Sequence, residues 1–201
     1  MKILAFTDIH GSSSALKRIG QKVKSQNPDL LVCAGDLSIF EHNIVGIMNR
    51  LNKLNKQTVI VHGNHEDAST FSKLSRLFKN IIFIHKKHFI QDDFLFLGYG
   101  GGGFSVVDKE FEKIGQTKFK KIIKTNQDKK IILVTHAPPY KTRLDKLMQG
   151  HCGNKSIRHF IDKNKIDLLI CGHLHENFGK EDKIGNTKII NPGPFGKIIQ
   201  V

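Results

Sequence analysis

Apolar positions fall into short continuous runs, each closed by a polar cluster and most followed by a stripe at helical spacing. Residues 2–7 form the first run and read as a strand ending in Asp8-Ile9-His10-Gly11. Three serines then offer a helix cap, and Ala15, Leu16, Ile19 and Val23 recur at helical spacing across residues 12–25. Asn27-Pro28-Asp29 breaks that helix. Residues 30–34 are apolar throughout, as in a strand buried on both faces, and close on Gly35-Asp36. Ile44, Ile47, Met48, Leu51 and Leu54 make the next stripe. Residues 58–61 are a third strand, ending in His62-Gly63-Asn64-His65-Glu66. Asp67 caps a further helix, expected to turn Phe71, Leu74, Leu77 and Phe78 inward. This β-α-β-α-β-α order predicts right-handed crossovers and a site along one edge of a sheet.

The middle of the chain changes character. Residues 81–84, 88–90 and 94–98 are short β-type runs with a turn at Gln91-Asp92-Asp93, which predicts an antiparallel segment in a second sheet. The glycines at 100–103 follow a strand but lack the Lys-Ser/Thr of a P-loop, so they read as a turn. Phe111, Ile114, Phe119, Ile122 and Ile123 form another helical stripe. A strand at 131–135 leads into His136-Ala137-Pro138-Pro139, where no helix can start. A loop at 140–153 precedes a short helix at 154–164 carrying Ile157, Phe160 and Ile161. Residues 167–171 are a strand ending in Gly172-His173-Leu174-His175, and 187–190 and 197–201 are two closing strands. With no repeat, linker or composition shift, residues 1–201 are expected to form one domain.

Composition narrows the class. Hydrophobic residues make up 39% and charged residues 25%, ordinary values for a soluble globular protein. No apolar run approaches the roughly 20 residues of a membrane span. The first apolar run is too short for a signal peptide, so a cytoplasmic protein without a membrane partner is expected. The three cysteines form no CxxC pair and read as structural thiols. The net charge of +14 raises the local concentration of phosphate-bearing ligands and admits nucleic acid as a partner. The lysines are spread along the helical stretches, however, which reads as a solvated basic surface.

If the strand ends are adjacent, Asp8, Asp36, His10, His136, His173, His175 and Asn64 converge. Imidazole with carboxylate suits Mn, Fe, Co, Ni or Zn, and the missing thiolate cluster argues against a structural zinc site. Residues two apart on a strand point the same way, so Asp8 with His10, and His173 with His175, are each expected to serve one centre. Seven donors exceed one ion and suit two bridged by a carboxylate. Two ions about 3.5–4 Å apart generate a hydroxide nucleophile near neutral pH and stabilise both oxygens of an in-line displacement at phosphorus.

Taken in order, Asp8-x-His10, Gly35-Asp36, Gly63-Asn64-His65-Glu66, His136 and Gly172-His173-x-His175 resemble the motifs of the calcineurin-like metallophosphoesterase superfamily, over residues 8–191. The resemblance implies an α/β (α+β) fold, a four-layer αββα sandwich of two mixed β-sheets flanked by helices. It implies that Asp8, His10 and His175 hold one divalent ion, that Asn64, His136 and His173 hold a second, and that Asp36 bridges them. It gives His65 a contact with the phosphate and help to the leaving group, and it has Glu66 orient His65. Asn64 would also touch the phosphate.

The subgroup most resembled is the small class III-type phosphodiesterases and metallophosphoesterase-domain proteins. The carrying residues are Thr135-His136-Ala137-Pro138-Pro139, Gly150-His151-Cys152-Gly153, Gly172-His173-Leu174-His175-Glu176 and Asn191-Pro192-Gly193. The chain is short for that subgroup and is expected to lack an added lid or C-terminal domain. His151 and the amides near Asn154, at the start of a helix, are expected to contact the substrate's phosphate or leaving group. The expected activity is phosphodiesterase or phosphatase hydrolysis of a small soluble phosphate ester, with Mn²⁺ first among Fe, Ni, Co and Zn. A nuclease of the same chemistry would draw on the +14 charge. A non-catalytic scaffold of this fold would lack ligands that are all present here.

Overall fold

The structure, a computed structural model, describes residues 1–103 and 105–201. In the first half, β1 (Lys2–Phe6), β2 (Leu30–Cys33), β3 (Thr58–Ile60) and β4 (Ile81–Phe83) alternate with α1 (Ser13–Gln26), α2 (Ile44–Asn52) and α3 (Ala68–Ser75). The second half opens with β5 (Lys87–Gln91) and β6 (Phe94–Tyr99). There follow α4 (Lys109–Ile114), a π-helical turn (Gly115–Phe119) and α5 (Lys120–Lys124). Then come β7 (Lys130–Thr135), β8 (Lys146–Leu147), β9 (Gly150–His151) and α6 (Lys155–Lys163). β10 (Leu168–Ile170), β11 (Glu181–Ile184), β12 (Thr187–Ile190) and β13 (Lys197–Gln200) complete the chain.

One sheet has the order β13-β1-β2-β3-β4, and the other β11-β12-β10-β7-β6-β5. Both are mixed: β1 pairs antiparallel with β13 and parallel with β2, while β6 pairs antiparallel with β5 and parallel with β7. The period of two along each strand explains the layers. Ile3, Ala5, Leu30 and Val32 face Phe96, Ile132, Val134 and Ile170 between the sheets. Their neighbours Leu4, Phe6, Leu31 and Cys33 face outward under α1, α2 and α3. On the other side Leu95, Leu97, Leu133 and Leu169 lie under Phe111, Phe119, Ile157 and Phe160. This is the expected αββα sandwich. Phe96 is fully buried between the sheets. Phe96→Ala is expected to cost about 3–5 kcal/mol of stability, read as a lower urea midpoint at an unchanged slope.

Caps fall where the sequence places them. The Ser12 hydroxyl accepts the Ala15 N–H, and the Asp67 carboxylate accepts those of Ser69 and Thr70. Asn27 ends α1 in the left-handed conformation. Several expectations change. β4 does not join the antiparallel segment but pairs parallel with β3 in the first sheet, because an apolar run carries no record of its partner. Leu77 lies beyond the end of α3 and is exposed rather than inward. Part of the 140–153 loop closes into a hairpin of β8 and β9. β11, with the sequence EDKI, escapes a hydrophobic reading. The stripe around Phe111 to Ile123 contains the π turn, where a Cβ on Gly115 would come within 2.9 Å of the Phe160 ring. Among the described residues no helix is long and apolar enough to cross a membrane.

Candidate metal centre

The polar clusters lie where β1, β2, β3, β7 and β10 end, and the backbone joins them before any side chain does. The Asp8 N–H donates to the Gly35 carbonyl, that of His10 to Asp36, and that of Gly172 to His136. Asp8, His10, Asp36 and His173 take left-handed backbone, with φ of 52°, 47°, 51° and 73°. Such residues cost roughly 1–3 kcal/mol each and persist where the surroundings over-determine them. Three glycines make the approach possible. A Cβ on Gly63 would lie 1.8 Å from Asp36 Oδ1, one on Gly172 2.4 Å from Asp8 Oδ2, and one on Gly35 2.8 Å from His136 Nδ1.

The donor atoms form two groups that share Asp36. In the first, His10 Nε2 lies 3.1 Å from His175 Nε2 and 3.8 Å from Asp8 Oδ1, with Asp8 Oδ1 3.4 Å from His175 Nε2. In the second, Asn64 Oδ1 lies 2.9 Å from His136 Nε2 and 2.8 Å from His173 Nδ1. Asp36 Oδ2 stands 3.6 Å from His10 Nε2 and 3.4 Å from His136 Nε2. Asp8 is further held by the Thr7 hydroxyl and the His173 N–H, and Asp36 Oδ1 accepts the His65 N–H. His136 Nδ1 faces the Ala34 carbonyl at 2.8 Å, an arrangement in which Nδ1 donates and Nε2 points into the centre.

This donor set fits divalent cations. Carboxylate oxygens, imidazole nitrogens and one amide oxygen converge, with ligand atoms within 4.8 Å of one another in the groups Asp8-His10-His175, His10-Asp36-His65 and Asp8-Asp36-His136. Electrostatics agree. Burial pushes the Asp36 carboxyl up, but the hydrogen bond and charge of His136 outweigh it and hold it below its usual range. Burial likewise opposes charge on His136, yet Asp36 raises its affinity for a proton. A cation competes for those lone pairs, so metal binding releases protons.

Residues 1–177 match the calcineurin-like phosphoesterase family model. The chain belongs to that family. It is 32% identical over 202 residues to the uncharacterized protein MJ1162 of Methanocaldococcus jannaschii, an alignment covering 96% of this chain and 88% of that one. Among solved structures it resembles TT1561 of Thermus thermophilus, with a TM-score of 0.75, 17% identity and coverage of 96% and 88%. It also resembles a dimetal phosphatase from Danio rerio, with a TM-score of 0.66, 10% identity and coverage of 94% and 86%. At those identities the structures speak for a calcineurin-like phosphoesterase fold.

Within this phosphoesterase fold some assignments shift. His173 and His175 lie in opposite groups, the division that the family resemblance implies, and not in the one centre read from their spacing. The strand has ended, His173 turns the backbone at φ 73°, and a 3₁₀ turn (His175–Asn177) follows. The Glu66 carboxylate makes no hydrogen bond to the His65 ring. Its Oε2 accepts the Gly63 N–H and its Oε1 accepts the N–H and hydroxyl of Ser38, so it staples the β3 loop to the β2 loop. The His65 ring instead lies between His10 and Phe40, at centroid distances of 4.9 and 4.7 Å.

The helix-start amides expected to bind substrate are occupied internally. The N–H groups of Gly153, Asn154, Lys155 and Ile157 donate to Asp145, Pro138, Val106 and the Asn154 side chain. His151 is placed against Asp145 at 2.8 Å and against the Tyr140 ring, outside the two groups. Supporting residues that sequence reasoning missed include Thr7, Ser38, Phe40, and Phe178, whose ring stacks on His175 at 4.9 Å. Adjacency to a motif residue was the available signal for Thr7 alone. The glycine run, read as a plain turn, borders the centre: a Cβ on Gly103 would lie 3.7 Å from Asn64 and 4.0 Å from His173.

His62 and His85 pack edge to face at 4.5 Å beside this run. Burial, then the charge of neighbouring histidines, lowers His62 from 6.5 to about 4 and His85 to about 3. The neutral rings are therefore favoured in the folded state, and their contribution to stability is lost as pH falls. The melting temperature is expected to drop between about pH 6.5 and pH 3, less steeply in His85→Asn, as followed by circular dichroism.

Proposed function

We propose that this protein hydrolyses phosphoester bonds in a small soluble substrate, as a phosphodiesterase or phosphatase, with two divalent ions as cofactors. The observation that carries this reading is the placement of Asp36 between two groups of donors, 3.6 Å from His10 and 3.4 Å from His136. Asp8, His10 and His175 would hold one ion and Asn64, His136 and His173 the other, with Asp36 shared. When bound, the ions supply charge stabilisation at phosphorus and an activated water near neutral pH.

The chain's own residues do the rest. The Ala34 carbonyl fixes the His136 tautomer, as outer partners commonly do for metal-binding imidazoles. Asn64, exposed at the rim, would touch a phosphoryl oxygen. His65 Nε2, 4.0 Å from Asp36 Oδ2 and half-buried, can donate a proton to the leaving oxygen. Glu66 is a positioning residue for Gly63 and Ser38.

The test is hydrolysis of bis-p-nitrophenyl phosphate with added Mn²⁺, then with Fe, Co, Ni and Zn. Turnover abolished by chelation supports the reading, and no turnover with any of these ions contradicts it. The +14 charge keeps a nucleic-acid substrate as the second reading. That reading requires oligonucleotide binding that weakens steeply with salt, because each phosphate contact releases about one counterion.

A further inference from the structure

Phe40 stands at the rim of the metal centre, 77% exposed. Its backbone is left-handed, at φ 46°, as are Glu41 and Asn43, a conformation that is out of the ordinary for an aromatic residue. The loop carrying it is nonetheless fastened on both sides of the ring. Ser38 is held through its N–H and hydroxyl by Glu66, and the Glu41 carboxylate accepts the Asp67 N–H at 2.9 Å. Both anchors belong to the segment that carries Asn64 and His65, so the ring keeps its place relative to the centre. From the centre outward the rings run His10, His65, Phe40, with successive centroids 4.9 and 4.7 Å apart. A group departing past His65 meets the exposed phenyl ring, with Ile39, 49% exposed, next to it in the chain.

We propose that Phe40 is a stacking platform for a planar ring on the substrate, so that the centre prefers phosphate esters carrying an aryl group or a nucleobase. This rests on the phosphoester reading above. The geometry supplies what such a platform needs: an exposed π face, a fixed pose and contact with the residue that would attend the leaving oxygen.

The test measures binding without turnover. Phenylphosphonate and methylphosphonate, which differ in the ring and cannot be hydrolysed as esters, are titrated calorimetrically into the Mn²⁺-loaded protein. The 5′-methylenephosphonate analogues of adenosine 5′-monophosphate and of ribose 5-phosphate, with CH2 in place of the ester oxygen, form a second non-hydrolysable pair, which reports a ring held at nucleobase distance. The natural chain is expected to prefer the ring-bearing member of at least one pair by about tenfold, in keeping with the usual strength of base–aromatic stacking. Phe40→Ala and Phe40→Leu are expected to bring that ratio near one, and Phe40→Tyr to keep it. A ratio near one in the natural chain for both pairs, a ratio unmoved in Phe40→Ala, or no binding of any of the four overturns the proposal. Failure of the phosphoester reading looks different: the binding preference persists while p-nitrophenyl esters are not turned over.

Discussion

Asp36→Asn is expected to lower kcat by at least about 10³-fold and to leave fewer than two ions bound per chain. The scale is the upper range for removing one preorganised charge-stabilising group from an active site. Asp36 is placed against both donor groups, with Oδ2 near His10, His136 and His65 at 3.6, 3.4 and 4.0 Å. Asparagine keeps the shape and can still accept the His65 N–H through Oδ1, a bond of 3.0 Å in the natural chain. What goes is the negative charge that would oppose the mutual repulsion of the two proposed cations. Metal content per chain and kcat on an aryl phosphate ester read the outcome. Retention of both, with a normal melting temperature, would remove Asp36 from its bridging place.

Gly63→Ala is the second large effect, and it touches no donor atom chemically. The added methyl would sit 1.8 Å from Asp36 Oδ1 and 2.5 Å from the Asp36 amide nitrogen. The carboxylate has no slack to absorb this, since the His65 N–H grips the same oxygen. Overpacking of this kind costs about 1–3 kcal/mol. Moving a catalytic group by about 1 Å costs on the order of 10²-fold in rate. Both losses are expected together. Gly185→Ala is the control: its added Cβ meets nothing within 4 Å, and although its φ of +55° is strained, activity should hold while stability dips. Equal activity in Gly63→Ala and the natural chain would mean that Asp36 can move without consequence.

These glycines show how much was legible in the sequence. A glycine directly before Asp36, Asn64 and His173 marked a sharp turn, and the structure gives the reason as close approach of side chains from other strands. The parallel strands, the caps and the seven converging donors were readable because each rests on local spacing and residue type. What failed were particular contacts decided across the fold. The partner of β4 is set by geometry that an apolar run does not encode. Residue spacing alone put His173 and His175 in one centre, but a left-handed residue breaks the strand rule, and the family resemblance was what set the two apart. Glu66 serves Gly63 and Ser38 rather than the adjacent His65, since its carboxylate, once buried, is drawn to the N–H groups that face it. Phe40 gave no signal, because an aromatic residue in a loop looks the same whether or not it leans on a histidine of the site.

The proposed chemistry needs two ions held by one shared carboxylate. Anomalous diffraction from Mn²⁺-soaked crystals tests it most directly. Two peaks about 3.5–4 Å apart are expected, one beside Asp8, His10 and His175, the other beside Asn64, His136 and His173, with Asp36 between them. A single peak in a chain that still turns over phosphate esters, or two peaks that Asp36 does not separate, would contradict it.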